Sequence, residues 1–341
     1  MIINLPYKIL IDRSVDGKIV DFLRSMNLGK NVLITCGPNV KKKVGTKIMK
    51  ILSESFRVGM VTIETTEKNY IENLAEKISG FDFVVGLGGG RSIDIAKYAS
   101  FLAKKPWIAF PTTLSHDGVV SSRASINHNG DRISIDAIEP IAIIADLDII
   151  KKSSYRNIAA GAGDVISNIS SVEDWKIAAK RNKERYHTLM AELSLLSARA
   201  VIEHIDDIKK KNYHGLEILL WSLICSGFAM NIYCSSRPCS GSEHNFSHAL
   251  DRIGTKAMHG EQCALGTIIM AYLQKKDWKS VREHLIRLGL PTNAKEIGIG
   301  EETLAMALVN ARKIRERYTI LNEKNITRDE ARKILKEVKI I

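Results

Sequence analysis

A chain of 341 residues is longer than one average core serves, so two domains are expected. Its 45% hydrophobic and 26% charged residues describe a soluble globular protein and exclude disordered and fibrous classes; no run of about 18 apolar residues stands out, so no membrane insertion is expected. The formal charge of +12 suggests an anionic partner, either a phosphorylated small molecule or nucleic acid; dispersed Lys and Arg with only 6% aromatics argue against nucleic acid and make most of the excess solvated surface.

The N-terminus, "MIINLPYKILIDRSVDG", carries acids and a Pro where a signal peptide has a basic head and a longer apolar core, so the expected location is cytoplasmic. Apolar runs then alternate with helical patterns up to residue 150. "NVLITCG" (31–37), "GMVTIE" (59–64), "FDFVVGLGGG" (81–90), "PWIAFPTT" (106–113) and "PIAIIADLD" (140–148) are short, β-branched and bounded by Gly, Pro or Asp, which predicts buried strands. The alternation predicts an α/β domain over 1–150 with a mostly parallel sheet covered on both faces. "VVSSRASINHNGDRISIDA" (119–137) interrupts it and predicts a β-hairpin turning at "NHNG". Residues 151–341 read as an all-α domain, in long helices such as "AGAGDVISNISSVEDWKIAAKR", "HTLMAELSLLSARAVIEHIDDIKKK" and "EETLAMALVNARKIRERYTILNE". Trp175, Trp221 and Met230 are expected in its core. The five cysteines are odd in number and form no CxxC, so free thiols are expected.

Three stretches carry candidate chemistry. In "VVGLGGGRSIDIAKYAS" (84–100), Gly88, Gly89 and Gly90 permit positive φ and close ligand approach, and a helix starting near Ser92 would aim its N–H groups at a diphosphate. The pattern is neither GxGxxG nor a Walker A loop, and a tight strand–helix turn is the alternative. Asp94 and Lys97 would meet cofactor and substrate, or form a solvated i,i+3 pair. "FPTTLSHDGVVSS" (110–122) follows the next strand, where open sheets bind ligands; Thr112, Thr113, Ser115 and Ser121 offer hydroxyls, and His116 and Asp117 could orient a polyol. In "SGSEHNFSHALDRIGTKAMHG" (240–260), His244 and His248 share a helix face and His259 returns after a loop containing Gly254. Asp164, in "AAGAGDVISN" (159–168), is either an N-cap at a glycine-rich helix start or the carboxylate that joins two of these histidines in a three-ligand zinc site; spacing does not say which two. His128, His187, His204, His214 and His284 are taken as surface residues.

"GLGGGRSIDIAK", "FPTTLSHDG", "GAGD", "SGSEHNFSHALD" and "HGEQCALG", in that order, resemble the archaeal sn-glycerol-1-phosphate dehydrogenases, within the superfamily of iron-type alcohol dehydrogenases, glycerol dehydrogenase and dehydroquinate synthase. The resemblance implies a Rossmann-like N-terminal domain, a helical metal- and substrate-binding domain, and a site in the cleft between them. It implies NADPH or NADH held by Gly88, Gly89, Gly90, Arg91, Ser92, Thr112, Thr113, Leu114, Ser115 and Ser121, and one Zn2+ per subunit on Asp164, His244 and His259. Asp117, Asp164 and His248 would contact the substrate and carry catalysis, in a homo-oligomer. The implied reaction is reversible reduction of dihydroxyacetone phosphate to sn-glycerol 1-phosphate, the first step towards the archaeal phospholipid backbone. A dehydroquinate-synthase-like lyase and a glycerol dehydrogenase are the alternatives on that scaffold. Arg91 stands where related dehydrogenases often have Ser, and Cys263 follows His259 by four residues. Arg123, Arg252 and Lys256 are candidates for the substrate phosphate. Lys41, Lys42 and Lys43, with no acid nearby to bind a ribose 2′-hydroxyl, favour NADPH.

Overall fold

The structure is a computed structural model and describes residues 3–341. The chain divides into two compact units, one ending at Ser154 and the other spanning Tyr155–Ile341.

The first unit is built on β1 (Lys8–Asp12), β2 (Asn31–Cys36), β3 (Arg57–Thr62), β4 (Phe83–Gly88), β5 (Trp107–Pro111) and β8 (Ala142–Asp146), all parallel, in the order β1-β8-β5-β4-β2-β3. Central β4, β5 and β8 are buried at every residue, as expected of continuous apolar runs covered on both faces. Val32, Ile34, Val85, Leu87, Ile108, Phe110 and Ile144 meet Ile19, Leu23, Ile48 and Leu52 in one core. The edge strand β1, "KILID", escaped the sequence reading: every residue is only half-buried, so it lacks the signature of its neighbours. The hairpin β6 (Arg123–His128) and β7 (Asp131–Asp136) turns through Asn129 and Gly130, at φ 54° and 85°, which is the geometry Asn-Gly favours. The chain leaves β2 towards β3, then returns to lay β4 on β2's other side. Such a reversal opens a crevice at the carboxyl ends of the two strands.

The second unit has no strand among the described residues. Three expected helices are shorter than their patterns suggested. The stretch around Asp164 forms two helices, Tyr155–Ile166 and Asn168–Asn182; 188–210 divides at His204; and the helix Glu301–Ala311 stops well short of Arg315. Tyr213–Tyr233 is long and apolar enough to cross a membrane, with a mean hydropathy of 1.5, yet 67% of that window is buried inside the structure, as in a core helix. Trp175 is fully buried, but Trp221, expected in the core, is 41% exposed on the outer face of that helix.

Glycines inside the helices set the distance between two of them. A Cβ on Gly260 would stand 1.8 Å from Ala160 O, and one on Gly163 would stand 2.7 Å from Gly260 O. Helix Tyr155–Ile166 and helix His259–Leu273 (first residue His259) therefore meet backbone to backbone. Asp164 is not an N-cap, because its helix starts at Tyr155 and places it in the last turn. The glycines that suggested a helix start are close-packing positions instead.

Candidate active site

In the first unit, Gly88 ends β4 at φ 151°, Gly89 is the extended N-cap, and Gly90 already opens the helix Gly90–Ala103, two residues ahead of the expected start. Each glycine has a steric reason. A Cβ would lie 2.5 Å from Ser92 Oγ at Gly88, 3.1 Å from Thr113 Cγ2 at Gly89, and 1.9 Å from His116 Nε2 at Gly90. Thr112 N–H donates to Gly88 O at 2.9 Å, so the loops after β4 and β5 lie side by side. The loop after β2 joins them, for a Cβ on Gly37 would be 3.8 Å from Ser92 Oγ. Buried Thr113 Oγ1 has no hydrogen-bond partner among the described residues. Ser92, Leu114 and Ser121 are buried, Thr112 and Ser115 partly so, and Arg91 is exposed. Free N–H groups at a helix start, glycine access and an orphaned hydroxyl fit a dinucleotide diphosphate.

Asp94 and Lys97 are an i,i+3 pair, but not a solvated one: their side chains are 6% and 0% exposed, with Nζ 3.3 Å from Asp94 Oδ1. Lys97 also donates to Gly118 O at 2.7 Å and to Arg123 O, which ties the loop carrying Asp117 to the helix. Burial lowers the Lys97 pKa, with Asp94 opposing. Burial pushes the Asp117 carboxyl up to about 6, opposed by the Lys97 ammonium and aided by the Asp94 charge. Gly118 N–H donates to His116 Nδ1 at 2.9 Å, and burial lowers that imidazole's pKa.

In the second unit, His244 Nε2 and His259 Nε2 lie 3.6 and 3.7 Å from the same oxygen, Asp164 Oδ1. Two donors each about 2.1 Å from a shared ion at a tetrahedral angle stand about 3.4 Å apart, so the three fit a divalent metal. The opposite ring nitrogens are engaged. His244 Nδ1 meets Glu243 Oε1 at 2.8 Å, and this carboxylate also accepts from Gly241 N–H and Ser170 Oγ. Ser247 Oγ gives its proton to Gln262 Oε1 at 2.5 Å, so His259 Nδ1, 3.0 Å away, must be the donor to it. Gln262 Nε2 donates to Asp251 Oδ1 and Ala257 O, which fixes the amide's orientation. Both imidazoles thus keep an Nε2 lone pair for a metal. Burial, then Arg315, His248 and Arg317, holds the His244 pKa well below its usual value, so the ring is neutral.

Asp164, His244, His259 and Cys263 offer donor atoms within 4.8 Å of one another. The sulfur is nevertheless poorly aimed. Cys263 Sγ is 3.6 Å from His259 Nε2 and 3.9 Å from Nδ1. A sulfur sharing a metal with Nε2 would sit ahead of the ring, more than about 5 Å from Nδ1. Cys263 flanks the imidazole instead, and burial, then Asp164 and Glu243, pushes its thiol pKa well above the usual value. His248 stands apart from the donor set: its ring lies 6.0 Å from that of His259, and its Nδ1 is 3.8 Å from Asp251 Oδ2. Sequence reasoning missed Glu243 and Ser247. Nothing in the sequence marks them; both are polar residues that the structure buries fully on the histidine helix.

A parallel α/β unit with a triple-glycine turn, and a helical unit with an Asp/His/His donor set, define the class of iron-type, metal-dependent alcohol dehydrogenases; the family profile described as iron-containing alcohol dehydrogenase matches residues 10–153. Solved structures share the fold. Glycerol dehydrogenase from Schizosaccharomyces pombe superimposes with a TM-score of 0.83 at 19% identity, over 99% of this chain and 90% of that one. Sulfoacetaldehyde reductase from Bifidobacterium kashiwanohense, solved with NAD+, gives 0.78 at 18% identity over 99% of each. Curated relatives are much closer in sequence. Glycerol-1-phosphate dehydrogenase (NAD(P)+) of Thermococcus sibiricus is 44% identical over 100% of this chain and 98% of its own. That of Pyrococcus horikoshii is 43% identical over 100% and 99%, and that of Methanosphaera stadtmanae 41% over 99% and 98%. The chain belongs to the glycerol-1-phosphate dehydrogenase family.

Proposed function

We propose that the chain is an NAD(P)-dependent oxidoreductase that reduces dihydroxyacetone phosphate to sn-glycerol 1-phosphate. NAD(P)H, when bound, would supply the hydride for the carbonyl carbon, with one proton taken up for the carbonyl oxygen, and NAD(P)+ would take the hydride back in the reverse direction. The observation that carries this reading is the gathering of His244 Nε2 and His259 Nε2 at 3.6 and 3.7 Å from Asp164 Oδ1, distances that suit three donors to one ion, in a chain 44% identical to a glycerol-1-phosphate dehydrogenase. Asp164, His244 and His259 would hold one divalent ion per subunit, taken here as Zn2+, which as a Lewis acid supplies stabilisation of negative charge on oxygen.

The chain's own residues do the rest. Gly88, Gly89, Gly90, Arg91 and Ser92, with Thr112, Thr113, Leu114, Ser115 and Ser121, bind the cofactor, its diphosphate at the start of helix Gly90–Ala103. Asp117, held in place through Lys97, accepts a hydrogen bond from a substrate hydroxyl. His248 orients the substrate and relays the proton at its ring nitrogen. Exposed Lys41, Lys42 and Lys43, after β2, favour the 2′-phosphate of NADPH. The same reading makes residues up to Ser154 the cofactor domain and the remainder the metal and substrate domain, in a cytoplasmic homo-oligomer. It would supply the backbone of archaeal phospholipids and bind no nucleic acid.

The test is a spectrophotometric assay with dihydroxyacetone phosphate and NADPH, followed by chiral analysis of the product. NADPH consumed in proportion to sn-glycerol 1-phosphate supports the assignment. A lyase that recycles its cofactor would show no net absorbance change, and a glycerol dehydrogenase would prefer the unphosphorylated substrate. Replacing His259 with Ala should remove bound metal and turnover together.

A further inference from the structure

Lys97, on the helix Gly90–Ala103, is fully buried. Its Nζ donates to Gly118 O at 2.7 Å, to Arg123 O, and to Asp94 Oδ1 at 3.3 Å. Three acceptors around one nitrogen use all three protons of an ammonium, whereas a neutral amine would aim its lone pair at one of those oxygens. Lys97 is therefore charged, although burial draws its pKa down. The turn Asp117–Val119 is pressed against the same helix: a Cβ on Gly118 would stand 2.4 Å from His116 Nδ1 and 3.5 Å from Asp94 Oδ1. The carbonyl held by the ammonium is thus the next one after Asp117, and the Lys97 charge is felt at the Asp117 carboxyl.

We infer that Lys97 sets the charge of Asp117 as well as its place: it is a positioning residue that keeps this carboxylate ionised for the substrate hydroxyl, an inference that rests on the reaction proposed above. A tie between a helix and two carbonyls needs no charge. A hydroxyl or an amide can donate to such oxygens without the cost of enclosing an ammonium. What the charge adds is a field on the carboxyls beside it. Asp94 and Asp117 both lie in that field and repel each other. Burial pushes the Asp117 carboxyl up to about 6, the Lys97 ammonium pulls it back, and the Asp94 charge adds to the rise. The other charged or titratable groups around the turn are His116, whose pKa burial lowers, and Arg123 and Arg132 of the hairpin. Arg123 is itself engaged by Asp136 and Ser134. Lys97 is thus the enclosed cation on the helix side of Asp117, and removing it would leave two buried carboxyls facing each other.

The test is the pH profile of kcat/KM for dihydroxyacetone phosphate in the zinc-loaded wild type, K97M and D94N. It is read beside the Asp117 carboxyl resonance in protein labelled with carbon-13 aspartate, assigned by its loss in D117N. Removing the cation should move the Asp117 midpoint, and the acid limb with it, up by about one pH unit, a tenfold tighter hold on the proton. Removing the Asp94 charge should move both down by about as much. Shifts of opposite sign support the inference. A fastening role predicts equal losses at every pH with the midpoint unmoved, and that result overturns it. Where K97M fails to fold, D94N decides alone, because Asn keeps an acceptor for Lys97 Nζ and changes the charge: a lowered midpoint supports the inference and an unmoved one ends it. If the wild type does not reduce dihydroxyacetone phosphate, the proposed reaction falls, and the Asp117 resonance still shows whether Lys97 and Asp94 govern its charge.

Discussion

Ser247 Oγ stands 3.0 Å from His259 Nδ1 while its own proton goes to Gln262, so a serine outside the Asp164, His244 and His259 donor set fixes the tautomer of the imidazole proposed to hold the metal. Without that acceptor the ring is free to rotate or to protonate at Nε2, which would withdraw the lone pair from the donor set. Ser247→Ala should therefore weaken metal binding about 10- to 100-fold, the usual cost of losing such a partner. Competition against a zinc chelator measures it, and an affinity within twofold of wild type would refute the relay.

Cys263 leads to the opposite expectation. Because its sulfur flanks the His259 ring and does not lie ahead of Nε2, Cys263→Ala should keep full metal stoichiometry. Its cost should appear in folding, about 1 kcal/mol for a small buried cavity. Metal analysis of the purified variant decides the matter: loss of more than half the ion would make the thiol a ligand.

The parallel sheet, the hairpin and the helical half were legible because continuous β-branched runs, an Asn-Gly turn and 3.6-residue spacing are local signals. What lay beyond reach was non-local. Nothing near Gly163 and Gly260 in sequence says that each accommodates the other's helix, so glycines that close a helix contact looked like a helix start at Asp164. Arg315 and Arg317 continued a helical pattern, while in the structure they donate to oxygens of Ser236, Ser240 and Asn245, some seventy to eighty positions earlier, which no local signal announces. Lys97 and Asp94 had the spacing of a surface pair, and only the Gly118 and Arg123 carbonyls explain their burial. The resemblance, not the spacing, separated His244 and His259 from His248.

Gly90 offers a test of the cofactor turn. A methyl group there would meet His116 Nε2 at 1.9 Å, and His116 is itself anchored through Gly118 N–H. Gly90→Ala should cost about 1–3 kcal/mol of stability, as overpacking does, and should weaken NADPH binding as the loop shifts. Gly17→Ala is the control, since nothing lies within 4 Å of its Cβ. Thermal unfolding and cofactor titration should move for the first and stay for the second; equal behaviour would show that the turn tolerates a side chain.

Asp117 predicts a pH signature. Its carboxyl is pushed up to about 6 from an ordinary 3.8, chiefly by burial, with Lys97 opposing and Asp94 adding. A carboxyl with a raised folded pKa binds more protons folded than unfolded between those two values. Stability from this group is therefore greatest below about 4, falls as pH climbs towards 6, and is level above. Asp117→Asn removes the dependence, so the variant should gain in Tm relative to wild type from pH 4 to pH 6, and the difference should stay constant to pH 8. The charged carboxylate is the stronger acceptor for the substrate hydroxyl, so wild-type kcat/KM should rise through pH 6 and the variant's should remain low and flat. Paired melting curves and pH–rate profiles test both halves; a Tm difference that does not change between pH 4 and 8 would mean that Asp117 titrates as an ordinary exposed carboxyl.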